Sequence, residues 1–177
     1  MPDDPDLSLL QRFARGDNAA LGELARLYEH SLLGLALGIT GNRELARDAV
    51  QDTWVRIIGG AAQFQGLSTV RTWMYRILIN RAITLRQTAT KRPALLLRPE
   101  SLDAVPDAHS ADDAEQVRVA MRELSPNHQL ILVLCYHEGF SHEAAADVLG
   151  IPLGTLKSRL HAALTALRAR LGAEVTP

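Results

Sequence analysis

Apolar residues recur at Leu21, Leu24, Leu27, Tyr28, Leu32 and Leu35. Steps of three and four keep them on one face of a helix. Asp17 or Asn18 can cap that helix after Gly16, and Gly41 stops it, with Asn42 as the next cap. From Arg43 to Ile58 a second stripe runs through Ala46, Ala49, Val50, Thr53, Trp54 and Ile57. The opposite face carries Arg47, Asp48, Gln51, Asp52 and Arg56 before Gly59-Gly60 ends the helix. A loop over 63–69 then leads into a helix over about 70–87.

That helix breaks the one-face pattern. Val70, Trp73, Met74, Ile77, Leu78 and Leu85 form one apolar side, yet Tyr75, Ile79 and Ile83 lie nearly opposite, beside Thr72, Arg76 and Arg86. Either the helix is buried on two sides of a bundle, or its second side is a partner surface. Arg71, Arg76, Arg81 and Arg86 are five apart, so each step turns about 140° and the four cannot face one ligand. Aromatic rings beside arginines suit single-stranded nucleic acid, because bases stack on rings while cations hold phosphates.

The C-terminal pattern differs. Ser125-Pro126 reads as a cap followed by proline at the first helical position. The apolar run Leu130–Tyr136 alone could be a buried strand. The cap, the proline and Gly139 favour a helix over about 126–138. Ser141 caps a short helix, His142–Leu149; Gly150-Ile151-Pro152 turns the chain; a longer helix follows from about 153 to 171. A short helix, a glycine turn and a longer helix make a helix-turn-helix, whose second helix enters a DNA major groove. On that helix Leu156, Leu160, Ala163, Leu164, Leu167 and Leu171 share one side. Thr155, Ser158, Ala162 and Thr165 lie opposite, flanked by Lys157, Arg159, His161 and Arg168. Small residues let a helix approach base edges, and flanking cations reach phosphates.

Charge changes this picture in one place. The 177 residues carry a net charge of −1, which does not mark a generally basic protein. Between Thr53 and Pro99, however, eight basic residues and no acid occur, and from Glu100 to Glu115 six acids and no Lys or Arg follow. A long single-sign field points to a polyanionic partner. The expected organisation is all-α: a helical bundle over 1–88, a flexible acidic linker over 89–113, and a helix-turn-helix domain over 114–177.

Other chemistry finds no support. No Gly-rich phosphate loop, HExxH or GxSxG is present, so neither an enzyme nor a cofactor is expected. Cys135, His137 and His142 lack the spacing of a closed zinc site, and no metal is expected. Cys135 falls inside an apolar segment and reads as an inert core thiol. A single cysteine fits a reducing compartment. The seven-residue apolar run Leu130–Tyr136 is far too short for membrane insertion, which takes about 20 residues. The opening MPDDPDLSLLQRF carries acid where a secretory signal carries base. A cytoplasmic protein is expected.

Two stretches carry a resemblance. DAVQDTWVRI (48–57), Phe64 and VRTWMYRILINRA (70–82) resemble the second conserved region of the small, extracytoplasmic-function (ECF) sigma factors of bacterial RNA polymerase. LSPNHQLILVLCYHEGFSHEAAADVLGIPLGTLKSRLHAALTALR (124–168) is similar to their fourth region. The resemblance implies that the chain binds core RNA polymerase and directs promoter-specific initiation. It assigns docking on the beta-prime coiled coil to Asp48, Gln51, Asp52 and Arg56. Recognition and melting of the minus-ten element fall to Phe64, Ser68, Arg71, Trp73, Tyr75, Arg76, Asn80 and Arg81. Recognition of the minus-thirty-five element falls to Thr155, Lys157, Ser158, Arg159, His161 and Arg168, with the same domain touching the beta flap. The family also leaves room for an anti-sigma partner, which no residue here names.

Two departures stand out. Ile58 and Gly59 occupy positions where the family often has Trp and Arg, and the Gly59-Gly60 pair is expected to loosen that helix end and weaken core docking. HAALTALR carries fewer cations than relatives do, so minus-thirty-five affinity is expected to be low. Two alternatives remain at this stage. One is a sigma-like decoy that binds an anti-sigma factor without initiating. The other is a plain helix-turn-helix regulator, which leaves RTWMYRI unexplained.

Overall fold

A computed structural model describes residues 4–90 and 111–173. The elements are helices α1 (Pro5–Ala14), α2 (Asn18–Thr40), α3 (Arg43–Gly60), α4 (Val70–Thr90), α5 (Ala111–Arg122), α6 (Pro126–Leu132), α7 (His142–Leu149) and α8 (Leu153–Ala173). A 3₁₀ turn, Ala61–Gln63, follows α3, and a π turn, Val133–His137, follows α6. Among the described residues there is no strand, and no helix is long and apolar enough to cross a membrane. The all-α expectation holds.

Local signals set the helix ends. The Asp17 side chain accepts from the Ala19 N–H at 3.1 Å, and the Asn42 side chain accepts from the Glu44 and Leu45 N–H groups at 2.8 and 3.1 Å. Each satisfies backbone donors that the first turn leaves open. Ser125 and Ser141 cap α6 and α7 in the same way. Gly41 and Gly150 close α2 and α7 in the left-handed region. The expected linker over 89–113 lies for the most part outside the described residues. Its ends are helical: α4 runs through 89–90, and α5 starts at Ala111.

Helices α1 to α4 enclose an apolar core that includes Leu10, Leu24, Ile57, Val70 and Met74. A second buried cluster runs from Leu32, Leu35 and Ile39 on α2, through Tyr75 and Ile79 on α4, to Phe140, Val148 and Leu156 beyond the 91–110 segment. The odd side of α4 is thereby explained. Tyr75 is 0% exposed and Ile79 2%, because α4 is covered on both sides, by the first bundle and by α7.

The start of the chain also matters. Asp4 caps α1 and accepts from the Val70 N–H at 2.8 Å, tying the chain start to the head of α4. Asp6 is 5% exposed and accepts a hydrogen bond from the Tyr28 hydroxyl. Burial raises the Asp6 carboxyl above its usual range; the Tyr28 bond and Arg71 work against this, and Asp4 adds to it. The folded state therefore holds that proton more tightly than the unfolded chain does. Stability falls as pH rises between the two pKa values, and at neutral pH the charged carboxylate costs stability. Asp6→Asn keeps an acceptor for Tyr28 without the buried charge. It is expected to raise the melting temperature at neutral pH, with the gain shrinking as the buffer is taken to the acid side of the carboxylate range. A lower melting temperature for the variant at neutral pH would contradict this.

Candidate nucleic-acid interface

The four arginines of the 70–87 stretch go to four different places. Arg86 is buried and donates to the Ile39 carbonyl at the end of α2 at 2.8 Å. There a cation meets the negative end of a helix dipole, and burial lowers its pKa. Arg81 pairs with Asp52, joining α4 to α3. Arg76 donates to the Asp147 carbonyl at the end of α7, with Nε at 2.7 Å. Arg71 donates to the Glu138 carbonyl, and its Nη2 lies 3.3 Å from the Glu138 carboxylate.

Around Arg71 the contacts are dense. Its guanidinium lies 4.2 Å from the Phe140 ring centre and 5.3 Å from that of Tyr75. Such distances are within the range of cation–π attraction. The Tyr75 and Phe140 rings meet edge to face at 4.9 Å. The Tyr75 hydroxyl donates to the Glu138 carboxylate at 2.5 Å. Burial, then the neighbouring carboxylate, pushes the tyrosine pKa far up, so it stays a protonated donor.

The loop before α4 is more open. Leu67 is 82% exposed at its tip. Ser68 is half-buried within it. Phe64 packs on Trp73, ring centres 5.0 Å apart. A side chain at Gly60 would come within 3.0 Å of the Trp73 ring, so this glycine admits a close approach. Asn80 is exposed on α4, and its side chain makes no hydrogen bond among the described residues.

On α3, Asp48, Gln51 and Arg56 are exposed. Between α2 and α3 runs a groove that sequence reasoning missed, lined by Leu33, Trp54, Val55 and Ile58 with Glu29 and Gln51. The Trp54 indole N–H donates to Glu29 across it at 2.8 Å. Val55 is 60% exposed and Ile58 49%, an apolar strip beside the charged face. The signal was present, since both interrupt an otherwise polar side of the helix.

On α8 the expected pattern is laid out openly. Lys157, Ser158, Arg159, His161 and Arg168 are exposed, and Thr155 is half-buried. Leu156, Leu160 and Ala163 are buried beneath them. Cys135 is half-buried, and burial raises its thiol pKa, which suits an inert role. No cluster of metal-ligating side chains occurs among the described residues.

Comparison with known proteins decides the family. The family model described as Sigma-70 region 2 matches residues 24–92, and the one described as Sigma-70, region 4 matches 120–169. The ECF RNA polymerase sigma factor SigL of Mycobacterium tuberculosis is 34% identical over 174 residues, covering 89% of this chain and 96% of the relative. The chain belongs to the ECF sigma factors. The RNA polymerase sigma-H factor of Pseudomonas aeruginosa is 30% identical over 183 residues, covering 93% of this chain and 92% of that protein. Among solved structures, CnrH in complex with the cytosolic domain of CnrY shares the fold, with TM-score 0.69 and 24% identity over 96% of this chain and 99% of that one. The sigma factor RpoE of Bartonella quintana, solved with the anti-sigma factor NepR, does so at TM-score 0.66 and 23% identity, over 88% and 98%.

As an ECF sigma factor the protein directs transcription from promoters, with RNA polymerase and promoter DNA as partners. Sigma factors are DNA-recognition proteins rather than enzymes. Matching both regions sets aside the plain helix-turn-helix regulator, which accounts for only the second.

Proposed function

We propose that this sigma factor divides its work among three faces, held on two units over 1–88 and 114–177. The α3 face, with Asp48, Gln51, Asp52 and Arg56 beside the apolar groove, docks on the beta-prime coiled coil. The 64–69 loop and α4, with Phe64, Ser68, Arg71, Trp73, Tyr75, Arg76, Asn80 and Arg81, capture the minus-ten strand. The α8 row of Thr155, Lys157, Ser158, Arg159, His161 and Arg168 reads the minus-thirty-five duplex, and its domain meets the beta flap. The protein acts in the cytoplasm without catalytic chemistry of its own. An anti-sigma protein is a further partner, in line with the complex solved for the Bartonella relative.

The observation that carries this reading is the exposed α8 row over a buried leucine side, entered through the left-handed Gly150 turn. A row of small residues flanked by cations fits a groove better than it fits another helix. Run-off transcription with core polymerase tests the whole. A promoter-dependent transcript is expected; a decoy would give none.

Two substitutions test single faces. Lys157→Ala is expected to weaken binding to all duplex promoters alike and to reduce the salt slope by about one, as loss of a phosphate contact does. Selective loss of preference at one base pair would instead make Lys157 a base reader. For docking, Asp48→Arg is the cleaner probe. Asp52 already pairs with Arg81, so reversing it would also set two guanidiniums together across α3 and α4. Asp48→Arg is expected to weaken core binding about tenfold, or about 1.4 kcal/mol, with unchanged circular dichroism. Unchanged core affinity in a pull-down would move the docking face elsewhere.

A further inference from the structure

The loop that leads into α4 leans on α1 at both ends. At its entry, Phe64 packs on Trp73 and lines one groove with Leu7 and Leu10 of α1. At its exit, the N–H of Val70, the first residue of α4, donates to the Asp4 carboxylate at 2.8 Å. Between these two points lie Gly66, in the left-handed region, and Leu67, 82% exposed.

Asp4 serves two helix starts with one carboxylate. Its Oδ1 accepts from the Asp6 N–H at 3.2 Å and caps α1. Its Oδ2 takes the Val70 N–H, 66 residues along the chain. A helix start leaves its first N–H groups without partners. At α4, Thr69 meets part of that need: its hydroxyl accepts from the Thr72 N–H at 3.1 Å and its carbonyl from the Trp73 N–H at 3.0 Å. The Val70 N–H is satisfied by Asp4 instead. Val70 is 0% exposed, so water does not stand in for a lost acceptor there. A buried donor without an acceptor is costly, and the backbone at the end of the loop would shift to find one.

The helix that carries Asp4 is itself anchored. Leu10 is buried in the cluster that holds Leu24, Val70 and Met74, and Asp6 accepts from the Tyr28 hydroxyl on α2. Asp4 is thus fixed to the bundle, with each carboxylate oxygen engaged by a backbone donor. Its negative charge would repel a phosphate. It can act on DNA only through the loop and the first turn of α4, where Arg71 and Trp73 stand.

We propose that Asp4 is a positioning residue for strand capture, which fixes the 64–69 loop against the first turn of α4 through the Val70 N–H. The proposal rests on the capture role given above to that loop and helix.

The test uses the full chain. Asparagine has one acceptor oxygen, enough to cap α1 but not to serve Val70 as well. Asp4→Asn is therefore expected to keep the core affinity and the melting temperature of wild type, and to speed exchange of the Val70 amide with solvent about tenfold. On a promoter mapped from transcripts that the wild-type holoenzyme initiates, the variant should open DNA about fivefold more slowly. It should also discriminate that minus-ten sequence from single-base changes about threefold less sharply. A merely structural role would not move that ratio. Asp4→Ala removes both bonds and is expected to lose discrimination as far, with a lower melting temperature. Asn80→Ala is the control for the capture reading. Unchanged discrimination in both Asp4 variants, with opening impaired by Asn80→Ala, overturns the positioning role alone. No effect from any of the three removes the capture reading with it. Lower melting temperature and weaker core binding at unchanged discrimination would make Asp4 a brace of the bundle, which also overturns the proposal. So would a Val70 amide that exchanges equally slowly in wild type and both variants.

Discussion

Promoter opening by holoenzyme carrying Arg76→Ala and Asn80→Ala is expected to fall about a hundredfold, while core binding stays at the wild-type level. The residues are four apart on α4 and so share a face. Two hydrogen-bonding contacts at about 1.4 kcal/mol each amount to that factor. Neither substitution should harm the bundle. Among the described residues the Asn80 side chain is exposed and makes no hydrogen bond, and Arg76 reaches a carbonyl at the end of α7. Unchanged core binding and melting temperature would assign the measured loss to DNA. Permanganate reactivity of unpaired thymines gives the opening rate. Wild-type kinetics would remove both residues from strand capture. A lowered melting temperature with weak core binding would mean that they brace the bundle instead. A pre-melted promoter should recover part of the lost transcription, but not all of it if the same side chains also hold the flipped base.

The second large effect concerns stability. Leu156 on α8 is 0% exposed and belongs to the cluster shared with Tyr75, Phe140 and Val148. Leu156→Ala is expected to cost about 3 kcal/mol, from lost burial and the cavity left behind. Total stabilities run to about 5–15 kcal/mol, so the loss is a large fraction. The melting temperature should drop by about 10 °C for a chain of this size. Leu156→Met, which conserves volume, should cost under about 1.5 kcal/mol. Urea unfolding followed by circular dichroism checks both. An alanine variant within about 1 kcal/mol of wild type would mean that the helix-turn-helix collapses around the gap.

Much of this was legible in the chain because the signals are local. Asp17, Asn42, Ser125 and Ser141 act within three residues of themselves, so caps read correctly from neighbours alone. Gly41 and Gly150 are similar, each ending a helix by its own backbone angle. The five-residue spacing of the arginines also showed that they diverge, and they do. What the chain did not disclose was destination. Tyr75 and Ile79 stood out as apolar residues on the wrong side of α4, but nothing nearby names a partner 63 residues away in Glu138. An isolated glutamate before a glycine looks like any solvated helix end. The run 126–138 was read as one regular helix, and its π turn has no composition signature. The groove beside α3 has another cause: Val55 and Ile58 lie outside the apolar stripe through Ala46, Val50, Trp54 and Ile57, and only the packing of α2 beside α3 brings them to one groove.

That π turn has a consequence measured in residues rather than contacts. A regular helix advances about 100° per residue, and the wider turn takes up one extra residue without changing the way the chain beyond it faces. Losing one residue between Val133 and His137 as the turn becomes regular would leave Glu138 facing α4, whereas winding all the residues regularly would carry it about 100° away. Every side chain of the pairing would survive, and the pairing would not. How widely this one turn is wound can therefore set how firmly the two halves of the protein hold each other, with every side chain on both DNA-reading surfaces unchanged.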